Sequence, residues 1–414
     1  MLKKFRLKDV LAGHKKNKWK RSETEEKKSE KAPSLFEYIS SAVIDGELPE
    51  DFTLPVLSED DSQIVWADGA LDGVGIYHMG FSEISDESYA LMADAVQATD
   101  RKDFNKADEL FIRLGEKGAS AISLIDPLQS YIMDHQEELT AGNIYEYGFH
   151  ALVDSSDKEC VKYGLSLLEL FDTDSHKELK EIIRTIGLSD EFSIFAIFVM
   201  LRWEDGNNEV WQLAKKIHGW GRIHAVERLE PASVEIKRWL LLEGVHNRIM
   251  PAYSALTCWR KSDAETILRN DPTREEFSGI RDMIGELLDE GPVPGISEID
   301  NSDDVIILFL NKAKQMASEV EDYVIVRDIC MYFETEDPEH TEIVSLCREI
   351  LSTDRCREAV LEAVKGGRAI GLAQDLKLDC KEDSLALMKS SFQSNYHLCT
   401  FLMEEPGNKE EVMG

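Results

Sequence analysis

The sequence predicts an all-α protein built as an α-α superhelix, with a small irregular N-terminal segment that holds candidate short strands. From Ser85 onward, apolar residues recur every three or four positions in segments of roughly 10 to 16 residues, the spacing of one helix face. Short polar or glycine-containing turns separate the segments, which favours antiparallel helices packed as a bundle or a solenoid. The longest apolar stretch, residues 192–201, is shorter than the roughly 20 residues of a membrane-spanning helix and predicts a buried helix.

Length and charge bound the class of protein. The chain has 414 residues, enough for two or three domains or for one extended repeat array. Its formal net charge of -33 disfavours a general nucleic-acid-binding surface, because such surfaces neutralise phosphates with Lys and Arg. We therefore expect a partner that is another protein, with no membrane span.

Residues 1–33 form a basic segment at the start of this acidic chain. Positions 1–31 hold 12 Lys and Arg against 5 Asp and Glu, and they lack the continuous apolar core of a secretory signal. Because few apolar residues are available for burial, we expect a disordered tail. The tail can contact anionic membrane or RNA, fold back on the acidic remainder, or stay solvated, and contact with nucleic acid is expected only through it.

The cysteines indicate a reducing compartment. They are odd in number, scattered, and without any Cys-x-x-Cys pair, which is typical of reduced core thiols in the cytosol. A cytoplasmic location is the expectation that follows. The seven positions are Cys160, Cys258, Cys330, Cys347, Cys356, Cys380 and Cys399.

Residues 34–84 form the irregular N-terminal segment. Ser34 is a plausible cap of a short helix that reaches towards Asp45. Residues 63–78 then predict extended structure, because Asp68 and Asp72 are each followed by glycine, and Asp-Gly pairs form turns. Two carboxylates this close can also surround a cation, but a calcium loop needs more oxygen ligands, so two turns are favoured.

The remaining chain divides by its turn signals into a helical repeat region at 85–290, a linker at 291–301, a helical region at 302–404 and a frayed end at 405–414. Two stretches, 221–244 and 355–376, each predict a helix, a turn and a second helix, with Pro231 and Gly366-Gly367 at the turns. Their closely spaced Leu, Val and Ala positions resemble HEAT-type hairpins of armadillo-like repeat proteins. That resemblance implies an α-solenoid.

Two further blocks resemble a little-characterised group of bacterial proteins often labelled limonene hydroxylase. They are residues 66–79, WADGALDGVGIYHM, and residues 218–229, HGWGRIHAVERL. The similarity extends over most of the chain after the tail. The label implies a haem, a non-haem iron or a flavin, because no amino-acid side chain activates oxygen for hydroxylation.

No catalytic fingerprint accompanies that label. A di-iron bundle needs Glu-x-x-His twice, whereas the chain has it once, from Glu243 to His246. These two side chains can bind a metal from one helix face or make an exposed contact, and the second interpretation is favoured. No cysteine is followed by x-Gly as a haem thiolate requires, and no Gly-x-Gly-x-x-Gly follows a strand pattern. We therefore expect no cofactor and no metal, assign no catalytic residue, and do not favour enzymatic activity.

The second block holds the densest set of chemically versatile side chains, and we consider it a possible interaction patch. It can form a ligand pocket or a peptide groove, or its glycines can separate helices while its tryptophan packs in the core, which is the favoured interpretation. The predicted function is a helical scaffold for protein–protein interaction. The alternatives are an enzyme of unrecognised type and a regulator that acts through its basic tail. The patch residues are Trp220, Arg222, His224, Glu227 and Arg228.

Overall fold

The structure is a computed structural model, and it describes residues 33–55, 66–81, 83–118, 120–291, 293–336 and 341–379. The predicted basic tail, except for its last residue, and the predicted frayed end at 405–414 lie outside the described residues. Within the described part the chain is all-helical, as the sequence predicts, and its only bridge between extended residues joins Ile44 and Glu47. No helix in these ranges is both long enough and apolar enough to cross a membrane.

The chain divides into two compact units. The first comprises residues up to Ala232 together with His246–Met250, and the second comprises Ser233–Val245 and the chain from Pro251 onward. The linker predicted at 291–301 therefore lies inside the second unit, where a single 3-10 turn, Ile296–Glu298, interrupts it.

The first unit holds eleven α-helices in its described residues. In chain order, α1 to α11 are Leu35–Ala42, Ala70–Val74, Asp86–Asp100, Phe104–Glu116, Ala121–Asp134, Ala141–Asp154, Lys158–Leu168, Lys177–Ile186, Asp190–Met200, Gly206–Ala214 and Trp220–Arg228. The predicted cap of α1 is confirmed, because the Ser34 hydroxyl accepts a hydrogen bond from the Glu37 amide at 3.2 Å. The apolar stretch at 192–201 is the buried helix α9, as predicted.

The second unit holds nine further α-helices in its described residues. In chain order, α12 to α20 are Val234–Leu242, Ala252–Lys261, Ala264–Arg269, Arg274–Leu287, Ser302–Met316, Val320–Glu336, Thr341–Leu351, Asp354–Lys365 and Ile370–Asp375. The helix–turn–helix predicted at 355–376 is confirmed as α19 and α20. The one predicted at 221–244 is confirmed as two helices, α11 and α12, but these belong to different units.

Most helices contact the next helix or the next but one, whereas α1 contacts α6 and α8. In the first unit, the series α3, α5, α7, α9 and α11 is in contact step by step, and α6 contacts both α7 and α8. In the second unit, α13, α15, α17 and α19 form one such series, and α14, α16 and α18 form another. Contacts of this range build a core from elements that are near neighbours in sequence.

Glycine lets α6 and α7 approach closely. A Cβ on Gly148 would lie 2.8 Å from the Leu168 side chain, and one on Gly164 would lie 2.8 Å from Ala151. Neither position has room for a larger residue without movement of the neighbouring helix. The two helices therefore pack backbone against backbone, and α7 is buried on all sides from Cys160 to Leu168.

The short strands predicted within residues 63–78 are wrong for the part that the structure describes. Residues 70–74 form α2, and the next five, Gly75–Met79, form one π-helical turn. The turn predicted at Asp68-Gly69 is confirmed, with Gly69 at φ 73°, whereas Asp72-Gly73 lies inside the helix. The Asp-Gly signal is local, and burial of α2 against the first unit outweighs it.

The second unit contains a buried ionic group, which we name the Asp322 cluster: Arg274, Arg281, Glu319 and Asp322. The Asp322 side chain is fully buried and accepts hydrogen bonds from Arg274 and Arg281, each at 3.0 Å. It also accepts from the backbone amides of Ser318 at 2.8 Å and Glu319 at 3.0 Å. Burial alone raises the pKa of Asp322, but these donors hold it below its usual value.

Candidate functional site

The two sequence blocks 66–79 and 218–229 meet in the first unit, although about 140 residues separate them. Trp220 is buried, and its ring lies directly on α2: a Cβ on Gly73 would come within 2.2 Å of it. Gly69 also lies close to the Asp190 backbone, where a Cβ would approach the carbonyl oxygen to 2.6 Å. Gly69 and Gly73 of the first block therefore leave the space in which Asp190 and the Trp220 ring pack.

An aromatic stack continues from the Trp220 ring. The rings of Tyr77 and His224 are nearly parallel, with centroids 5.9 Å apart, and Tyr77 also stacks on Trp220 at 6.2 Å. His224 is 1% exposed, and neither of its ring nitrogens has a hydrogen-bond partner among the described residues. Burial, aided by the nearby charge of Arg228, lowers the pKa of His224 to about 3. His224 is therefore a neutral ring packed like an aromatic side chain at physiological pH.

On its other side, α2 supplies a carboxylate to a buried ionic group, which we name the Lys162 cluster: Asp72, Glu159, Lys162 and Glu191. The Lys162 ammonium, only 3% exposed, lies 2.8 Å from Asp72 and 2.8 Å from Glu191, with Glu159 at 3.8 Å. Ser120 donates to the second oxygen of Asp72 at 2.9 Å. The Gly69 amide, at the N-cap of α2, donates to Glu191 at 2.8 Å, so α2 is tied to the cluster at its N-terminus as well as through Asp72.

The Lys162 cluster carries more negative than positive charge. Burial alone lowers the pKa of Lys162, but Glu191, Glu159 and Asp72 raise it well above its usual value, so the amine is an ammonium ion. Burial alone raises the pKa of Glu191, but Lys162 and the half-exposed Lys158 lower it to about 2. For Glu159, burial and the neighbouring carboxylates outweigh Lys162, and its pKa is raised. A single buried cation thus holds three acidic side chains together.

Asp190 connects the cluster to the second block. Its carboxylate accepts a hydrogen bond from the Gly221 amide at 2.9 Å and so caps the first turn of α11. Burial, with a further contribution from nearby Asp68, raises the pKa of Asp190 to about 6. Burial also raises the pKa of Asp68, whose carboxylate accepts from the Leu54 amide at 2.9 Å.

Asp68 and Asp190 line a cleft of about 220 Å³ in the first unit. Lys216, His218 and Arg248 stand around the same cleft. Two of these three side chains, Arg248 and His218, lie near carboxylates. Arg248 lies 3.3 Å from Glu50 and His218 lies 3.8 Å from Glu47. Burial and the charges of Arg248 and Arg222 lower the pKa of His218.

The five residues of the predicted interaction patch are not equally accessible. Trp220, Arg222 and His224 are buried, at 5%, 5% and 1% exposure. Glu227 is exposed, and Arg228 is half-buried with its guanidinium 5.0 Å from the Phe198 ring centroid. Whether the block binds a partner stays a prediction, but only its last two charged residues reach the surface.

The Glu243 and His246 pair does not share a helix face. Helix α12 ends at Leu242 with Glu243 as its C-terminal cap, and His246 follows in the other unit. Within the described ranges, no three His, Cys, Asp or Glu side chains are grouped so as to hold a metal ion.

Four residues of this region were not predicted from the sequence as site residues: Lys162, Glu159, Glu191 and Asp190. Lys162 had a usable signal, because it is the only charged residue between Cys160 and Leu168, where the apolar pattern predicts a buried helix. Asp190 and Glu191 had none, since acidic residues in a first helical turn are ordinary.

No protein-family model, no curated protein and no solved structure matches the chain. The resemblance to the group labelled limonene hydroxylase therefore stays a prediction.

Proposed function

We propose that this chain is a helical scaffold of the HEAT-like, solenoid type that binds another protein. The observation that carries the proposal is the order of helix contacts within each unit, where a series of alternate helices is in contact step by step, from α3 to α11 in the first unit and from α13 to α19 in the second. Stacked helical hairpins produce this order and present long continuous surfaces to partners.

The cleft beside α11 supports a specific mode of binding. Its volume of about 220 Å³ is smaller than the roughly 300 to 1,000 Å³ of sites for cofactors and metabolites. It has room for one side chain of a bound protein segment. Such an anchor is the usual centre of a protein-binding surface.

Charge indicates which side chain fits. The pKa values of Asp68 and Asp190 are both raised, so each carboxylate is less favourable in its ionised form than it would be in water. A Lys or Arg side chain inserted between them would relieve that penalty by forming charge-assisted hydrogen bonds. Lys216 and Arg248 also line the cleft and oppose such an occupant, although Arg248 is paired with Glu50.

The test is a selection of random peptides on the full-length chain, followed by calorimetry. We expect peptides that contain Lys or Arg and whose affinity falls with added salt. The double variant Asp68→Asn/Asp190→Asn keeps both hydrogen-bond acceptors but removes both charges, and should weaken binding about tenfold or more. Lys216→Met should tighten it.

Asp134→Asn is the matched control, because Asp134 is an exposed carboxylate elsewhere in the same unit. It should leave affinity unchanged. Peptides without a basic residue, or equal affinity for the double variant, would refute the cleft as the anchor.

A further inference from the structure

A cleft of about 440 Å³ lies between α17, α18 and α20 of the second unit, and we name it the C-terminal cleft. Helix α20 is the last helix that the structure describes. Met331 is 56% exposed, so the cleft presents apolar surface to solvent. A helical array needs a polar outer face or a cover at its end. The apolar side chains of the cleft come from all three helices and include Met331, Leu351, Leu372 and Leu376.

The charged side chains at the C-terminal cleft are already paired. Arg348 lies 2.6 Å from Glu334. Arg327 lies 2.7 Å from Asp328 and 3.6 Å from Asp375. Because each of these cations faces a carboxylate, the cleft does not favour an ionic ligand of either sign. Its apolar surface instead suits the apolar face of a helix, as in other helix-in-groove contacts.

The chain continues past this cleft with a segment whose sequence has one apolar face. The structure describes the chain as far as Asp379, whereas the sequence predicts a helical region that extends to residue 404. Within 385–403, six larger side chains recur at intervals of three or four, the spacing of one helix face. Between 389 and 397, the residues off this face are Lys, Ser, Gln, Asn and His. The six are Leu385, Met388, Phe392, Tyr396, Cys399 and Met403.

This segment starts within reach of the C-terminal cleft. Leu376 lines the cleft, and Asp379 follows it closely in the chain. The residues from Asp379 to Leu385 can span at most about 20 Å. A tether this short gives the segment an effective concentration on the order of millimolar at the cleft. A separate partner would have to exceed that concentration or bind more tightly, so the segment of the same chain is the favoured occupant.

We propose that residues 384–403 bind the C-terminal cleft of their own chain as an amphipathic helix, with the apolar face against Met331, Leu351 and Leu376. Both surfaces are apolar, so the hydrophobic effect stabilises the contact. The segment then closes the end of the second unit, as a capping repeat closes a solenoid. This contact is independent of the proposed partner-binding cleft, which lies in the first unit.

Hydrogen exchange of the native full-length chain, measured by mass spectrometry, tests this contact. We expect the amides of 385–403 to exchange at least about tenfold more slowly than those of a peptide with the same sequence, because a helix of this length is marginal by itself. Met331→Glu should remove the protection, since the contact would bury a carboxylate. Met331 is exposed, so the packing of α17 should survive the substitution. Phe392→Glu should remove the same protection from the side of the segment.

Val234→Glu is the matched control, because it places the same charge on an apolar residue that is 77% exposed on α12 of the same unit. It should leave the protection of 385–403 unchanged, and so should the conservative variant Met331→Leu. Exchange of 385–403 as fast as in the peptide would overturn the proposal, as would protection that survives both Met331→Glu and Phe392→Glu. Protection that rises with protein concentration would also overturn it, because the segment would then cover the cleft of a second copy.

Discussion

The Lys162 cluster of the first unit and the Asp322 cluster of the second unit bury charge in opposite ways. In the first, one lysine with 3% exposure holds three carboxylates, and two of its partners are almost as buried as it is. In the second, one fully buried carboxylate is held by two arginines, and Arg274 and Glu319 reach solvent at 32% and 56% exposure. A buried charge without its partner cannot be rehydrated, so the first cluster depends on a single side chain.

The arginine geometry adds to this difference. Asp322 accepts from two guanidinium groups and two backbone amides, so loss of one donor leaves others in place. Lys162 offers one ammonium, a compact charge with three donors, to carboxylates that come from α2, α7 and α9. The first unit therefore concentrates its electrostatic stability at one position, and the second unit distributes it.

The largest effect is expected at that position. Lys162→Met should destabilise the first unit by about 3–5 kcal/mol, because three carboxylates, two of them buried, would lose the ammonium that lies between them. Lys158→Met is the control and should cost less than about 1 kcal/mol, since Lys158 is half-exposed. Hydrogen exchange should show lost protection in α7 and α9, with the second unit unchanged. Unaltered protection in α7 and α9 would contradict the comparison.

Gly73→Ala tests whether the contact between Gly73 and the Trp220 ring positions α2, the helix that brings Asp72 to Lys162. The new Cβ would lie 2.2 Å from the Trp220 ring, so α2 or the ring must move, at a cost of about 3 kcal/mol. In a Trp220→Ala background the same change should cost close to nothing, which a double-mutant cycle of urea midpoints would measure. Gly366→Ala, with no such close neighbour, is the control. Additive effects of the two substitutions would show that Gly73 and Trp220 are not coupled by a packing contact.

Asp322→Ala should cost about 2 kcal/mol, less than the loss of Lys162. Arg281 keeps Asp282 at 2.7 Å and Glu319 at 3.3 Å, and Arg274 can turn to water. Urea denaturation measures the difference, with Asp328→Ala as the control, because Asp328 is a half-exposed carboxylate paired with the half-exposed Arg327. A cost above that of Lys162→Met would reverse our ranking of the two clusters.

The smallest expected change in stability depends on pH and concerns two neighbouring residues, Asp190 and Glu191, whose pKa values shift in opposite directions. Ionised Glu191 stabilises the fold above pH 4.5, and that contribution is lost as pH falls towards its folded pKa of about 2. For Asp190, with a pKa of about 6 in the fold against 3.8, stability falls as pH rises from 3.8 to 6. Asp190→Asn should therefore stabilise by about 1 kcal/mol at pH 7.5, a value reduced for its partial exposure.

The gain from Asp190→Asn should disappear below about pH 4, where wild-type Asp190 is protonated in both states. Thermal melts of both proteins across this range would measure it. A gain that is constant with pH would show that the carboxylate is not the cause. Glu191→Gln should show the reverse profile, with its cost fading as the pH approaches 2.

The sequence by itself determined the elements whose causes are local. The Ser34 cap, the buried helix at 192–201 and the helix–turn–helix at 355–376 follow from side chains within a few residues of each other, and the structure has all three. The periodic pattern also indicated an all-helical chain, because it reports which face of each helix is buried.

Only the tertiary structure decided which distant side chains meet. Lys162 and Asp72 are 90 residues apart in sequence, and no local signal relates them. The Asp72-Gly73 pair predicts a turn, because Asp-Gly pairs usually form turns. Gly73 is nevertheless helical, and the Trp220 ring occupies the space that a Cβ would need. Long-range packing decides which charged side chains are buried and where a small residue is needed beside them. In a single sequence that packing is visible only as isolated departures from the local pattern, such as one lysine in an apolar helix.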